Sequence, residues 1–403
     1  MTHPTDPGAP PPPPAAASPA APSAGPRDPS AQPPGLPEWA VPVALLPDAE
    51  RDPGPAPLTP RAITASVATV ATALLLSAAA ALPLPYAVQS PGPTRDTLGE
   101  EDGTPLISVA GEETFESTGR LLLTTVQVAG GPRSPVGLVD VVGGWFDGTV
   151  AVSPVELVFP PDETSEQVEE RNAAAMVSSQ ENATVAALEE LGYEVPTRLA
   201  IEAVMEGSGA DGVIEPEDVV VAVGGTPVDA FSELSRELDE VTPGDAVTIG
   251  VERAGERVDV EVTTGDDGRG RALLGVFIDP EFDLPVEVTI EIENIGGPSA
   301  GTMFALGIID RLTPEDETGG LTIAGTGTMD LAGDVGPIGG IRQKLAGARD
   351  AGATWFLAPE ENCDEVVGHV PDGLEVVRVA TLAEARAAMT AIGAGEGADL
   401  PRC

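Results

Sequence analysis

Gly296-Gly297-Pro298-Ser299-Ala300-Gly301, followed without a break by Thr302-Met303-Phe304-Ala305-Leu306-Gly307-Ile308-Ile309, reads as a tight turn feeding an apolar helix. A hydroxyl between such a turn and a helix start is exposed, and it lies near the positive end of the helix dipole. Its small neighbours leave room for another backbone to come close. Downstream, Gly336-Pro337-Ile338-Gly339-Gly340 is a second turn, and Ile341-Arg342-Gln343-Lys344-Leu345 opens a second helix. Lys344 is the only lysine in the chain; every other permanently cationic side chain is an arginine. Arginine does not give up its proton in a protein, whereas burial lowers a lysine pKa until the amine can act as a base. One lysine among arginines is either a stray surface residue of a biased composition or an amine kept for proton transfer. The Gly-Pro-Ser turn favours the second.

Three blocks then line up: Gly297-Pro298-Ser299-Ala300-Gly301, Ala324-Gly325-Thr326-Gly327, and Gly333 through Lys344. Together they resemble the proteolytic domain of the Lon family, over roughly Leu284 to Arg386. The resemblance implies a Ser-Lys dyad, with Ser299 as nucleophile, Lys344 as base and the Thr326 hydroxyl orienting the amine. Many Lon enzymes carry an aspartate two residues before the proline; here that place is Gly296.

Composition narrows the alternatives. A chain of 403 residues allows two or three domains plus tails. A formal net charge of −45 leaves no basic patch to neutralise phosphates, which argues against nucleic acid as a partner. A Ser-His-Asp triad needs a histidine, and the chain has only His3, in a proline-rich tail, and His369, in the loop Gly368-His369-Val370-Pro371. Cys363 and Cys403 cannot form a metal site alone, and no cofactor or metal is expected. A single disulfide between them is possible but has no support in the sequence, because Cys403 is the last residue and is expected to fray. A Gly-x-x-x-x-Gly-Lys-Ser/Thr loop for ATP is excluded, since the lysine lies elsewhere.

Residues 1–60 are rich in Pro and Ala, include the run Pro10 to Pro14, and read as a disordered cytoplasmic tail. Residues 61–86 read as a transmembrane signal-anchor. Ala62 to Leu82 carries no charge, Pro83 and Pro85 end it, and Tyr86 suits the interface. Arg51 and Arg61 precede it, so the N-terminus is expected in the cytoplasm and the rest outside. The alternatives are a signal peptide cleaved near Ala79-Ala80-Ala81 and a buried soluble helix.

Residues 97–194 alternate strands, at Leu106–Val109 and Gly119–Val128, with a helix through Met176 and another from Ser179 to Leu191. This part reads as the start of the protease fold or a layer packed on it. The Asn182-Ala183-Thr184 sequon carries no weight on a helix.

Residues 195–270 resemble a PDZ domain, through Gly207-Ser208-Gly209-Ala210-Asp211-Gly212 and Val223-Gly224-Gly225-Thr226-Pro227-Val228. The resemblance implies capture of an extended peptide along Ala200, Ile201, Ala203 and Val204, against a helix that begins near Phe231. Residues 271–393 are expected, on the same Lon resemblance, to be the proteolytic domain, with strands at Val286–Ile292, Leu321–Ala324, Thr354–Pro359 and Val376–Val379, and Thr381 capping a last helix.

The expected architecture is α+β: a Lon-type proteolytic domain with a PDZ domain, behind one membrane helix and a disordered tail. The expected activity is an ATP-independent serine endopeptidase acting on exported or membrane-associated proteins. The alternative is a non-catalytic PDZ peptide-binding scaffold at the cell envelope. Expected partners are protein or peptide substrates and the bacterial membrane, and the family resemblance allows a ring of identical chains.

Overall fold

The computed structural model describes residues 59–101, 103–131, 134–159, 164–268, 270–293 and 295–403. The expectation for the proline-rich tail therefore lies outside the described residues, apart from Thr59 and Pro60. Helix α1 (Pro60–Ala81) is, among the described residues, one helix long and apolar enough to cross a membrane, and none of the tested window is buried.

From Val70 onward the chain forms one compact unit. In order, it gives β1 (Tyr86–Pro91), β2 (Arg95–Asp96), β3 (Ile107–Ala110), β4 (Arg120–Leu123) and β5 (Val126–Ala129). Then come α2 (Leu138–Phe146), β6 (Ala151–Pro154) and α3 (Ser165–Glu190). The long run expected from Gly119 to Val128 is thus two strands, parted at Thr124-Thr125. The two helices expected up to Leu191 are one. Thr164 caps α3 with a reciprocal box: its Oγ1 accepts from Gln167 N (3.2 Å), and Gln167 Oε1 accepts from Thr164 N (2.9 Å). No Gly or Pro falls between Met176 and Ser179 to stop the helix.

The chain next builds a separate antiparallel sheet from β7 (Thr197–Val204), β8 (Val219–Val223), β9 (Ala246–Arg253), β10 (Glu256–Thr263) and β11 (Val276–Phe282), with α4 (Phe231–Asp239) between β8 and β9. The strand order is β10-β9-β8-β7-β11. Leu199, Ile201, Val220, Leu234, Ile249 and Val262 form its own core. β11 lies beyond residue 270, so this domain runs further than the sequence suggested. Pro280 sits in β11, where it disguised the strand; an edge position tolerates it, because the outer N–H has no partner to lose.

The return to the first domain is β12 (Glu287–Ile290), which pairs antiparallel with β3 through Val288 and Val109. Residues 97–194 and those after 285 are therefore one domain, interrupted by the PDZ-like sheet. There follow α5 (Gly301–Leu312), β13 (Thr322–Gly325), β14 (Thr328–Met329), β15 (Val335–Gly336), α6 (Ile341–Asp350), β16 (Trp355–Pro359), β17 (Glu375–Val379) and α7 (Leu382–Gly393). Thr381 caps α7 as expected, its Oγ1 accepting from Glu384 N at 3.2 Å.

The central sheet has the order β2-β4-β13-β16-β17, and its last four strands are parallel. Both faces are covered, as parallel sheets require. Leu121, Leu123, Ile323, Leu357 and Val377 pack on α5 and α7, while Leu122, Ala324, Phe356 and Val376 pack on α6. A smaller antiparallel sheet, β5-β1-β6, leaves β5 as an open edge. Cys363 and Cys403 form a disulfide with Cα atoms 4.9 Å apart. The C-terminus is held rather than frayed because the tail lies along β17, with Arg378 N donating to Pro401 O at 3.0 Å.

Candidate active site

α5 lies wholly in the interior through its first ten residues, from Gly301 to Asp310. Gly301 is required by that packing: a Cβ there would meet Met329 Cβ at 2.8 Å. The turn before it is fastened from α3. Asn172 O accepts from Gly297 N (2.9 Å), and Ser179 Oγ donates to Pro298 O (3.0 Å). Gly296 lies close to the same helix, where a Cβ would meet Asn172 Cβ at 3.1 Å.

Ser299 emerges half-buried from this turn. Lys344, on the first turn of α6, reaches it from the other side of the sheet's C-terminal edge. Its Nζ donates to Ser299 Oγ at 2.8 Å and to Thr326 Oγ1 at 2.8 Å. Thr326 follows the end of β13; its hydroxyl donates to Ser299 O at 2.9 Å, and Gly327 N donates to the same oxygen at 3.0 Å. The three residues singled out in the sequence thus converge on one point, although 45 residues separate the lysine from the serine.

Lys344 is 2% exposed. Burial lowers its pKa from 10.5 to about 7, with no carboxylate pulling the other way. Near neutral pH a large fraction is the free amine, whose lone pair can take the Ser299 proton. A nucleophile and a base within hydrogen-bond reach, beside a helix N-terminus, are equipped for attack on a carbonyl and for stabilising the resulting oxyanion.

The pair opens into a cavity of about 620 Å³, lined by Pro93, Thr124–Gln127, Met176, Ile295–Gly297 and Gly339. Sequence reading passed over this wall. Its signal is the break at Thr124-Thr125. Thr124 is buried and its hydroxyl donates to Gly325 O at 3.0 Å, which fixes the start of the open strand β5 along the cavity. His369 lies exposed, away from the pair, with Nδ1 3.2 Å from Val367 O. Asn182 of the sequon is occupied: its Nδ2 donates to Met329 O at 3.1 Å.

Residues 290–390 match the Lon protease (S16) C-terminal proteolytic domain, and residues 175–264 match a PDZ domain. The chain carries a Lon-type proteolytic domain and a PDZ domain. Over 117 residues it is 38% identical to Lon protease of Clostridioides difficile (strain 630), which covers 27% of this chain and 15% of that protein. Over 92 residues it is 38% identical to Lon protease 2 of Bacillus subtilis (strain 168), covering 22% and 16%. The chain therefore spans only about a tenth to a sixth of the length of the curated relatives it matches. Among solved structures it is similar to the PDZ domain of an SdrC-like protein from Listeria innocua, at 18% identity and a TM-score of 0.19, covering 20% of this chain and 92% of that one.

In the PDZ domain the expected peptide strand needs correction. Ala200, Ile201, Ala203 and Val204 lie on β7, which β11 pairs along its whole length and β8 pairs from the other side at Leu199 and Ala200. The edge on the side of α4 is β11. Between it and α4 runs a groove of about 640 Å³, where Phe231 does contribute to the wall. Its far side belongs to the Lon-type domain, through Ser178 and Asn182 of α3 and Leu331 of the β14–β15 loop. Arg271, at the groove, pairs with Asp334 of that loop.

Proposed function

We propose that the protein is a serine endopeptidase that works without ATP, with Ser299 and Lys344 as its dyad. The observation that carries this reading is the 2.8 Å contact between a buried lysine amine and the serine hydroxyl, inside a domain that matches a proteolytic family. Neutral Lys344 takes the Ser299 proton as Oγ attacks a peptide carbonyl. Backbone N–H groups at the start of α5 stabilise the oxyanion. The lysine ammonium returns the proton to the leaving amine, and the acyl-enzyme forms. Water activated by Lys344 then releases the acyl group. Thr326 holds the amine in position throughout. Substrate backbone pairs along the open edge of β5, which borders the cavity.

The reading extends to place and substrate. α1 anchors the chain, with the N-terminus in the cytoplasm and the catalytic part outside. The Cys363–Cys403 disulfide supports an oxidising compartment. Pro93 lines the catalytic cavity and follows the last residue of α1 by only twelve residues, which bounds the reach from the membrane to roughly 40 Å. Substrates are exported or membrane-associated proteins that present a loose segment near the bilayer, since the chain carries no nucleotide loop to drive unfolding. A peptide held between α4 and β11 lies beside the Lon-type domain, so the PDZ groove serves capture or regulation.

Ser299→Ala and Lys344→Arg are each expected to abolish cleavage of an unfolded model protein while leaving the circular dichroism spectrum intact. A serine-directed phosphonate is expected to label Ser299. Retained cleavage in either variant would refute the dyad. A folded chain that binds peptide but neither cleaves nor takes up the probe would be a PDZ scaffold.

A further inference from the structure

Helix α2 is amphipathic in the wrong sense for a soluble surface. Val141 is fully buried, and Gly144 lets the helix lie close on the next strand, since a Cβ there would meet Val152 Cγ2 at 2.7 Å. The opposite face carries Leu138, Val139, Val142, Trp145 and Phe146. At about 100° per residue these five fall within an arc of about 120°. They are turned to solvent: Val139 is 73%, Trp145 62% and Phe146 88% exposed. Leu157, just past β6, is 77% exposed as well. A contiguous apolar face of this kind marks a contact surface.

The chain itself indicates what covers it. The last residue of α1 is Ala81, and Leu84 N already donates to Val136 O (2.9 Å), immediately before α2. Pro85 O accepts from Val155 N (3.2 Å), next to Leu157. The Tyr86 ring stands edge-on to Trp145, with centroids 6.3 Å apart. Three residues span at most about 11 Å, so the apolar face is tied to the point where the membrane helix ends. That point is the interfacial zone, where Trp and Tyr are preferred and short amphipathic helices settle by their apolar side.

We infer that α2 lies in the membrane interface, seated on lipid through Trp145, Phe146 and Val139, as a second contact beside the anchor. The inference rests on the reading of α1 as membrane-spanning. A single tether leaves the catalytic body free to swing; two contacts fix its orientation, and with it the height of the catalytic cavity above the bilayer. The contact is apolar rather than electrostatic, because a chain of net charge −45 gains nothing from anionic headgroups.

The test uses the full chain reconstituted in phosphatidylcholine vesicles, with a fraction of the lipid brominated near the ester end of its acyl chains. The Trp145 component is the emission of the wild type minus that of Trp145→Phe. It is expected to lose about half its intensity in the brominated vesicles. Lipid brominated near the methyl end should quench it less. Val139→Asp combined with Phe146→Asp is expected to remove the quenching, while cleavage of a soluble unfolded substrate continues and reports an intact fold. A sodium carbonate wash separates the two readings. Release of the chain sinks the anchor, and this inference with it. Retention with an unquenched Trp145 sinks this inference alone. An unquenched Trp145 in a chain whose assembly is split by Val139→Asp assigns the face to a second copy and overturns the lipid contact.

Discussion

The two ends of α5 bury opposite charges, and only one of them has company. At its start, Lys344 is sealed in but meets two hydroxyls at 2.8 Å. At its far end, about 14 Å along the axis, Asp310 is 2% exposed. Neither of its carboxylate oxygens meets a partner in full hydrogen-bond geometry among the described residues, and the nearby Ser117 hydroxyl and Glu317 N–H only partly offset its burial. Burial, then the nearby Glu317 and Asp316, push its pKa up to about 6. Arg386 does not relieve it, being engaged by Glu317 (3.0 Å) and Glu190 (3.7 Å). The helix C-terminus adds a partial negative charge of its own. Perturbed ionisation therefore does not by itself mark a catalytic group. The lysine end is distinguished by what its amine can reach.

The largest effect expected from this contrast is on rate. Lys344→Met keeps the volume and removes the base, and should cost about 10²–10⁴-fold in cleavage. Its stability should move the other way. The lowered folded-state pKa means that burial penalises the charged amine, a cost fully present below about pH 7, shrinking as folding releases the proton between 7 and 10.5, and gone above the ordinary 10.5. The methionine variant should therefore unfold at a higher temperature than the wild type, most clearly below pH 7, with the gap closing towards pH 10. A methionine variant that melts lower at pH 6 would mean that the amine's hydrogen bonds outweigh its desolvation.

The next effect is in the pH profile. If Lys344 must be neutral, kcat/KM should rise about tenfold per pH unit below pH 7 and flatten above it. A flat profile from pH 5 to 8 would break the assignment of the base. Thr326→Val should follow with a smaller loss, about tenfold, from the missing hydroxyl bond to the amine. It should leave binding of a peptide to the PDZ groove unchanged.

How much of this was legible follows the same divide. Ser299 and Lys344 drew attention as one Gly-Pro-Ser turn and one lysine, and Thr326 only through the resemblance to the Lon proteolytic domain; the structure brings the three within 2.8–2.9 Å of one another. The peptide edge of the PDZ domain could not be read, because Pro280 hides β11 and nothing in Ala200–Val204 says that the strand is already paired. α2 escaped because periodicity arguments assume that the apolar stripe faces inward, and here Val139, Trp145 and Phe146 face out. The disulfide is undecided in the sequence because a terminal Cys403 has no visible partner for its backbone, whereas in the fold Arg402 pairs with Glu375 at 3.0 Å and stacks over Trp355 at 4.9 Å, holding the tail beside Cys363. Asp310 gives no sign at all in an apolar helix; its burial depends on α5 being enclosed on every side.

The smallest effect tests the silent end. Asp310→Asn removes the charge and keeps the shape. The raised pKa of about 6 means that the folded chain holds a proton which the unfolded chain, near 3.8, has already lost. Stability is therefore lost as pH climbs from about 4 to 6, and the full penalty persists above. The asparagine variant should gain about 1–2 kcal/mol at pH 8 and nothing at pH 4, read as the difference in urea midpoints at the two pH values. Cleavage should be unaltered, since Asp310 touches no part of the dyad. A gain at both pH values would mean that the carboxyl is misfitted in either protonation state. A loss of cleavage at unchanged stability would give the far end of α5 a role in the reaction and undo the contrast with Lys344.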